Sequence, residues 1–237
     1  DGPRLRAELA TITCGNRGGM PIRLTVDLRP GAHHSGNWGG ALANPAVILA
    51  NALASIVDAH GRMLVEAWRP TSLTPAVREA LAGIVPGGAP GEPAIDPDWG
   101  EPGLTTAERL YGWNSFEILA LHAGTPEAPQ NAIPGRAEAF CQLRFVVGTD
   151  MDSIIPALRR HLDAHGLAAV QIEQARSNVF GASRTPPDHA DVRLAVASLE
   201  RTLGHRPALL PNSGGSVPGD LFEGILGLPM VWVPHSY

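Results

Sequence analysis

Two stretches of alternation constrain this chain more than any other feature. In residues 21–28, Ile22, Leu24, Val26 and Leu28 alternate with Arg23, Thr25 and Asp27. In "AEAFCQLRFVV", Ala139, Cys141, Leu143, Phe145 and Val147 point one way, and Phe140, Gln142, Arg144 and Val146 the other. A period of two sends successive side chains to opposite faces of a strand, so both stretches call for a sheet with one covered face. The cover is encoded nearby. Asn44 is suited to cap a helix that has Pro45 in its first turn, runs through "AVILANALASIVDAH" and ends at Gly61. Its apolar residues occupy more than one face, so it should be buried on two sides, the second against a partner subunit or a deep core. A second helix should start near Asp152, carry Ile155, Leu158 and Leu162 on one stripe and stop at Gly166.

"RMLVEAW", "SFEILALHA" and "AAVQIEQA" read as further strands, giving the order β-α-β, β-α-β. The fold class expected is α+β: a split βαβ sandwich, its antiparallel sheet covered on one side by two helices. Residues 70–103 are dense in proline and glycine, with one helix expected at 75–84, and the stretch 69–113 reads as an excursion. Beyond residue 182 the pattern changes. A helix at 188–203 and the short buried strands "PALLP" and "PMVWVP", with "NSGGSVPGD" and a short helix between them, point to an α/β segment.

Composition removes whole classes of function. All 18 basic residues are arginine, which excludes Schiff-base, PLP and P-loop chemistry, each of which needs an amine. A net charge of -5 with scattered acids is no footprint for nucleic acid, and no apolar run is long enough to span a bilayer, so neither partner is expected. Cys14 and Cys141 lack CxxC spacing and are expected as two buried thiols in a reducing cytoplasm. The chain begins at Asp1 and stops directly after an apolar run, and reads as an excerpt of a longer protein.

Three motifs offer chemistry, and each has a plainer reading. "HHSGNWGG" pairs His33 with His34, but neighbouring side chains in an extended loop do not readily chelate one ion, and a turn is the default. In "NSGGSVPGD", Ser216 follows Gly214 and Gly215 where main-chain N–H groups and a hydroxyl can meet an anion, or where glycines simply connect two elements. Pro218 stands where a nucleophile elbow would need its last glycine. Arg144 offers either a bidentate fork for a carboxylate or a solvated guanidinium on an open sheet face.

Taken in order, "NRGG", "HHSGNWGGALANP", "AHGRMLV", "NAIPGRAEAFCQLRFV" and "GGSVP" resemble the M20 family of di-zinc amidohydrolases and peptidases, which includes carnosinase-like dipeptidases, aminoacylases and deacylases. The resemblance implies a lid or dimerisation domain at 18–182, inserted into an α/β zinc-hydrolase domain. Only residues 1–17 and 183–237 of that second domain would be present. It implies that His34 reaches across a homodimer to polarise the scissile carbonyl in the partner's site, and that Asn131 lies near the substrate. Arg144 would clamp a substrate carboxylate, helped by Gly214, Gly215 and Ser216, and Asp1 would be a zinc ligand. The substrate implied is a dipeptide or N-acyl amino acid, with the excursion at 69–113 pointing to a dipeptidase-like branch.

The departures are specific. Ala32 and His33 occupy the neighbourhood of the usual aspartate before the HSG motif. No Glu-Glu pair occurs, so two zinc ions are expected in the full-length protein and at most part of their site in this chain, which should be inactive alone. The competing expectation is a dimerising module that binds a small ligand without chemistry.

Overall fold

In the computed structural model, which describes residues 4–88, 91–177 and 179–235, the two alternating stretches are the central pair of one sheet. The elements run β1 (Thr11–Thr13), β2 (Gly15–Asn16), β3 (Gly18–His34), α1 (Ser35–Trp38), α2 (Pro45–Ile56), α3 (Pro75–Leu81), α4 (Thr106–Tyr111), β4 (Ser115–Ala123) and β5 (Ala132–Phe145). Then follow α5 (Ile154–Ala164), β6 (Gln171–Gln174), β7 (Ser183–Arg184), α6 (Ala190–Leu203) and β8 (Ala208–Leu210). The large sheet has the order β4-β5-β3-β6, and every neighbouring pair in it is antiparallel. With α2 and α5 as crossovers, this is the split βαβ arrangement expected from the pattern.

The covered face of the sheet is the one that the alternation marks. Ile22, Leu24 and Val26 of β3 and Ala139, Cys141, Leu143 and Phe145 of β5 are buried together with Leu49, Ala52, Leu53 and Ile56 of α2 and Ile154, Leu158 and Leu162 of α5. Each fully buried Leu or Ile contributes about 1.5–3 kcal/mol, so this cluster is the main source of stability. Within this chain α2 buries one face only. Val47 on its other face is 57% exposed, beside exposed Ala50 and Ala54. At the sheet edge β4 leaves Ile118, Leu119 and Leu121 exposed as well.

Several elements differ from expectation, each for a local reason. "RMLVEAW" is not a strand: beyond the bridge of Met63 to Val57 it ends in a 3-10 turn at Glu66–Trp68. Met63 and Val65 by alternation, and Trp68 through the 3-10 turn, enter the core as a plug. Trp68 Nε1 donates to the Ile154 carbonyl at 3.1 Å, and Asn114 Nδ2 donates to the Trp68 carbonyl at 2.6 Å. The second strand of the first βαβ unit is therefore β4, and residues 69–113 interrupt the crossover that leads to it. Helix α2 stops at Ile56 rather than Gly61, because Asp58 Oδ1 accepts the amides of His60 and Arg62 and turns the chain. Strand β5 ends at Phe145, so Val146 turns inward, is fully buried and donates its amide to Asn114 Oδ1 at 2.8 Å. "PMVWVP" contributes a single bridge, Trp232 to Thr13.

Beyond the large sheet, β1 pairs in parallel with β8, and β2 pairs with β7. Ile12, Cys14, Val192, Val196 and Leu209 form a second core there, under α6. Buried amides and hydroxyls stitch this region together. Asn16 Nδ2 donates to the Gly181 carbonyl, Ser183 Oγ donates to Asn16 Oδ1 at 2.7 Å, and Asn212 Nδ2 donates to the carbonyls of Asn16 and Ser183. Both cysteines are free and buried, and burial pushes each thiol pKa up to about 12. Among the described residues no helix is long and apolar enough to cross a membrane.

Candidate functional site

The register of β3 and β5 brings one group of the expected residues together. Arg144 lies opposite Gly19 on β3 and opposite Ser115 on β4, on the sheet face away from the helices. Its Nη1 donates to Ser216 Oγ at 3.0 Å, and Ser216 Oγ donates to the Arg17 carbonyl at 2.8 Å. Gly19 keeps this spot open. A Cβ there would lie 2.9 Å from Gln142 Nε2, 3.0 Å from Arg144 Nη1 and 3.4 Å from Ser216 Oγ. Two side-chain N–H donors and a hydroxyl thus surround one small space, an arrangement suited to a carboxylate.

The loop that carries Ser216 is tied to the strand beside it. The Arg17 amide donates to the Ser213 carbonyl at 3.2 Å, the Ser213 amide donates to the Gly15 carbonyl at 2.8 Å, and Ser213 Oγ donates to the Gly215 carbonyl at 3.0 Å. Gly214 and Gly215 have open space where a Cβ would stand. With Ser216, Arg17, Tyr111 and Trp232 they line a cavity of about 550 Å³.

Arg17 and Gln142 carry this geometry without having been singled out among the candidates. Arg17 is buried, with Nη1 on the Leu110 carbonyl at 2.9 Å and Nη2 on Ser115 Oγ at 3.2 Å. Burial, and then the like charge of Arg144, lower its pKa to about 10, against the opposing pull of Glu117 and Tyr111. It stays charged at neutral pH, so two guanidinium groups bias this corner toward anions. The signals were present in "NRGG" and in the side that Gln142 shares with Arg144.

The other group of candidates lies at the far end of the same strands. "HHSGNWGG" is not a loop: His33 and His34 are the last residues of β3, paired with Ile133 and Ala132, and Ser35–Trp38 make one helical turn. His34 caps that turn by accepting the Gly36 amide on Nδ1 at 3.1 Å, which leaves the proton of the neutral ring on Nε2. The ring is exposed. The Asn131 carbonyl accepts from the Ser35 amide at 2.8 Å and from Ser35 Oγ at 3.1 Å, so Asn131 and His34 are neighbours.

Between Ala132, opposite His34, and Arg144, opposite Gly19, β5 runs twelve residues. At about 3.3 Å per residue the two groups stand on the order of 40 Å apart within one chain. Asp1, expected as a metal ligand, lies outside the described residues. Among the described residues no three His, Cys, Asp or Glu side chains are grouped to hold a metal ion. The described residues therefore offer no fitting ligand set for zinc.

Comparison with known proteins places this geometry in context. The model of the peptidase dimerisation domain of M20 type matches residues 14–170. A cysteinylglycine-S-conjugate dipeptidase of Corynebacterium striatum is 25% identical over 228 residues, covering 92% of this chain and 48% of the relative. An M20 family metallo-carboxypeptidase from Sulfolobus solfataricus superposes with a TM-score of 0.73 at 24% identity, over 94% of this chain and 52% of that one. Human carnosine dipeptidase 1 gives a TM-score of 0.70 at 21% identity, over 99% and 51%. The chain spans about half the length of the relatives it matches. The match over residues 14–170 shows that this chain belongs to the family of M20 peptidase dimerisation domains.

Proposed function

We propose that the full-length protein is a homodimeric, zinc-dependent hydrolase that cleaves the amide bond of a small substrate with a free carboxylate, a dipeptide or an N-acyl amino acid. The observation that carries this reading is the separation of the two groups: Arg144 with Ser216 at one end of the β3–β5 pair, His34 with Asn131 at the other. A substrate of dipeptide size cannot bridge some 40 Å, so His34 serves a second copy. The relatives support the substrate class, since two of them are named dipeptidases.

In each site Arg144 holds the substrate carboxylate through its guanidinium, with Gln142, Ser216 and the main chain at Gly214 and Gly215 completing the seat. The partner's imidazole donates from Nε2 to the scissile carbonyl oxygen as negative charge develops there. Zinc supplies water activation in such hydrolases. Its ligands are to be sought outside the described residues, and no step in this chain depends on them. The exposed edge of β4 and the outer face of α2 supply the apolar surface for dimer contact. The two free thiols suit a cytoplasmic protein.

A mixing experiment tests the crossed arrangement. His34→Ala and Arg144→Met versions of the full-length protein should each hydrolyse dipeptides poorly. Dissociated and reassociated together, they should regain about a quarter of the wild-type rate, because half of the dimers then hold one intact site. No recovery on mixing would remove His34 from the partner's site.

The grouping of no metal-ligating residues among the described ones favours a second reading, a non-catalytic dimerisation and ligand-binding module. Metal content and dipeptide hydrolysis of the full-length protein separate the two. A metal-free protein inert toward a dipeptide panel would establish the module.

A further inference from the structure

Residues 69–113, the interruption before β4, build a second cavity of about 430 Å³ against the other side of Arg17 and Arg144. Its apolar wall holds Met63, Ile95, Trp99 and Trp113. The Trp99 segment is fixed from two directions. The Arg109 guanidinium donates to the carbonyls of Trp99 and Pro97, and the indole ring sits where a side chain on Gly61 would be, at a residue with φ +77. Trp113 Nε1 is buried with no hydrogen-bond partner.

The polar end of the cavity carries opposite charges. Arg144 faces Ser115 across the β4–β5 pair, and Glu117 lies two residues further along β4 on the same face. Such diagonal neighbours stand about 7–8 Å apart, and among the described residues no ion pair joins either of them to a neighbour. A guanidinium and a carboxylate held apart at one mouth, with indole walls behind them, match one chemical class. We propose that this cavity binds a free α-amino acid with a large apolar side chain. Its carboxylate lies on Arg144 and Trp113 Nε1, its ammonium on Glu117, and its side chain between Trp99, Met63 and Ile95.

The proposal rests on the reading of Arg144 as a carboxylate clamp and adds a consequence. An amino acid released by peptide hydrolysis competes with substrate for the same guanidinium, so product slows the reaction.

Binding to the 237-residue chain, followed by tryptophan fluorescence and titration calorimetry, tests this without turnover. L-Leucine should bind about tenfold or more tightly than glycine, the worth of burying one leucine side chain. Leucinamide and N-acetyl-leucine, each lacking one charge, should bind about tenfold more weakly than leucine. Glu117→Gln should remove the advantage of leucine over N-acetyl-leucine while leaving N-acetylglycine binding unchanged. Leucine binding no better than glycine, with N-acetylglycine still bound in an Arg144-dependent way, would overturn the amino-acid site and spare the clamp. Failure of every carboxylate to bind would overturn both. Loss of dipeptide hydrolysis in the full-length protein, with leucine binding retained, would count against the hydrolase reading alone.

Discussion

Adjacent glycines at the start of β3 should respond oppositely to the same methyl group. A Cβ on Gly18 would run into the ring of Phe145, which is 1% exposed and locked in the main core. Overpacking of this kind costs about 1–3 kcal/mol, offset by roughly 0.4–1 kcal/mol because alanine restricts the unfolded chain. Gly18→Ala should therefore lose on the order of 1–2 kcal/mol, which lowers Tm by about 2–4 °C per kcal/mol in a chain of this size. At Gly19 the atoms nearest a Cβ are Gln142 Nε2, Arg144 Nη1 and Ser216 Oγ, the ends of side chains that can swing aside. Gly19→Ala should leave Tm unchanged within about 2 °C. It should also push Arg144 off Ser216 and lower the affinity for N-acetylglycine about tenfold or more, the worth of a hydrogen bond to a charged group. Thermal unfolding and calorimetric titration of the two variants make the comparison. Equal destabilisation by both substitutions, or unchanged N-acetylglycine binding in Gly19→Ala, would refute the assignment of the Gly19 space to a ligand.

Other expectations concern the core and pH. Cys14 and Cys141, buried and with pKa values pushed up to about 12, should resist a thiol reagent at pH 8 and react together on denaturation; rapid labelling of the native protein would contradict their burial. Asn114→Ala should cost about 2–4 kcal/mol, because Asn114 bonds the Trp68 carbonyl, Thr149 Oγ1 and the Val146 amide from a buried position, and urea unfolding measures the loss. Burial lowers the pKa of His161, followed by repulsion from His165, against the opposing bond of its Nε2 to the Ser55 carbonyl. The unfolded state then takes up its proton first, so stability should decline as pH falls below the ordinary histidine value of about 6.5, and His161→Gln should flatten that part of the curve.

The sheet was legible because alternation is a local consequence of pleating: Ile22, Leu24 and Val26 face the core as their spacing requires. "RMLVEAW" misled for the same reason. Its period of two places Met63 and Val65 inward and the 3-10 turn brings Trp68 in after them, but the hydrogen bonds that make a strand come from a neighbour, and here a distant residue, Asn114, takes the Trp68 carbonyl instead. The length of β3 was hidden because the pattern breaks at the bulge between Asp27 and Ala32, after which polar histidines continue the ladder. At the candidate site, Arg144 and Ser216 stood out by residue type. The contribution of Arg17 depends on burial and on Arg144 beside it, and neither is visible at one position.

The paired strands β3 and β5 also act as a measuring rod. Guanidinium and imidazole are placed at its two ends by a count of residues, each residue a step of about 3.3 Å. Inserting one residue on the Arg144 side of the bulge would turn every following side chain to the opposite face, whereas inserting two would keep the faces and lengthen the span by about 7 Å. Changes in the reach of this domain are therefore confined to steps of two residues, unless a further bulge absorbs the odd one.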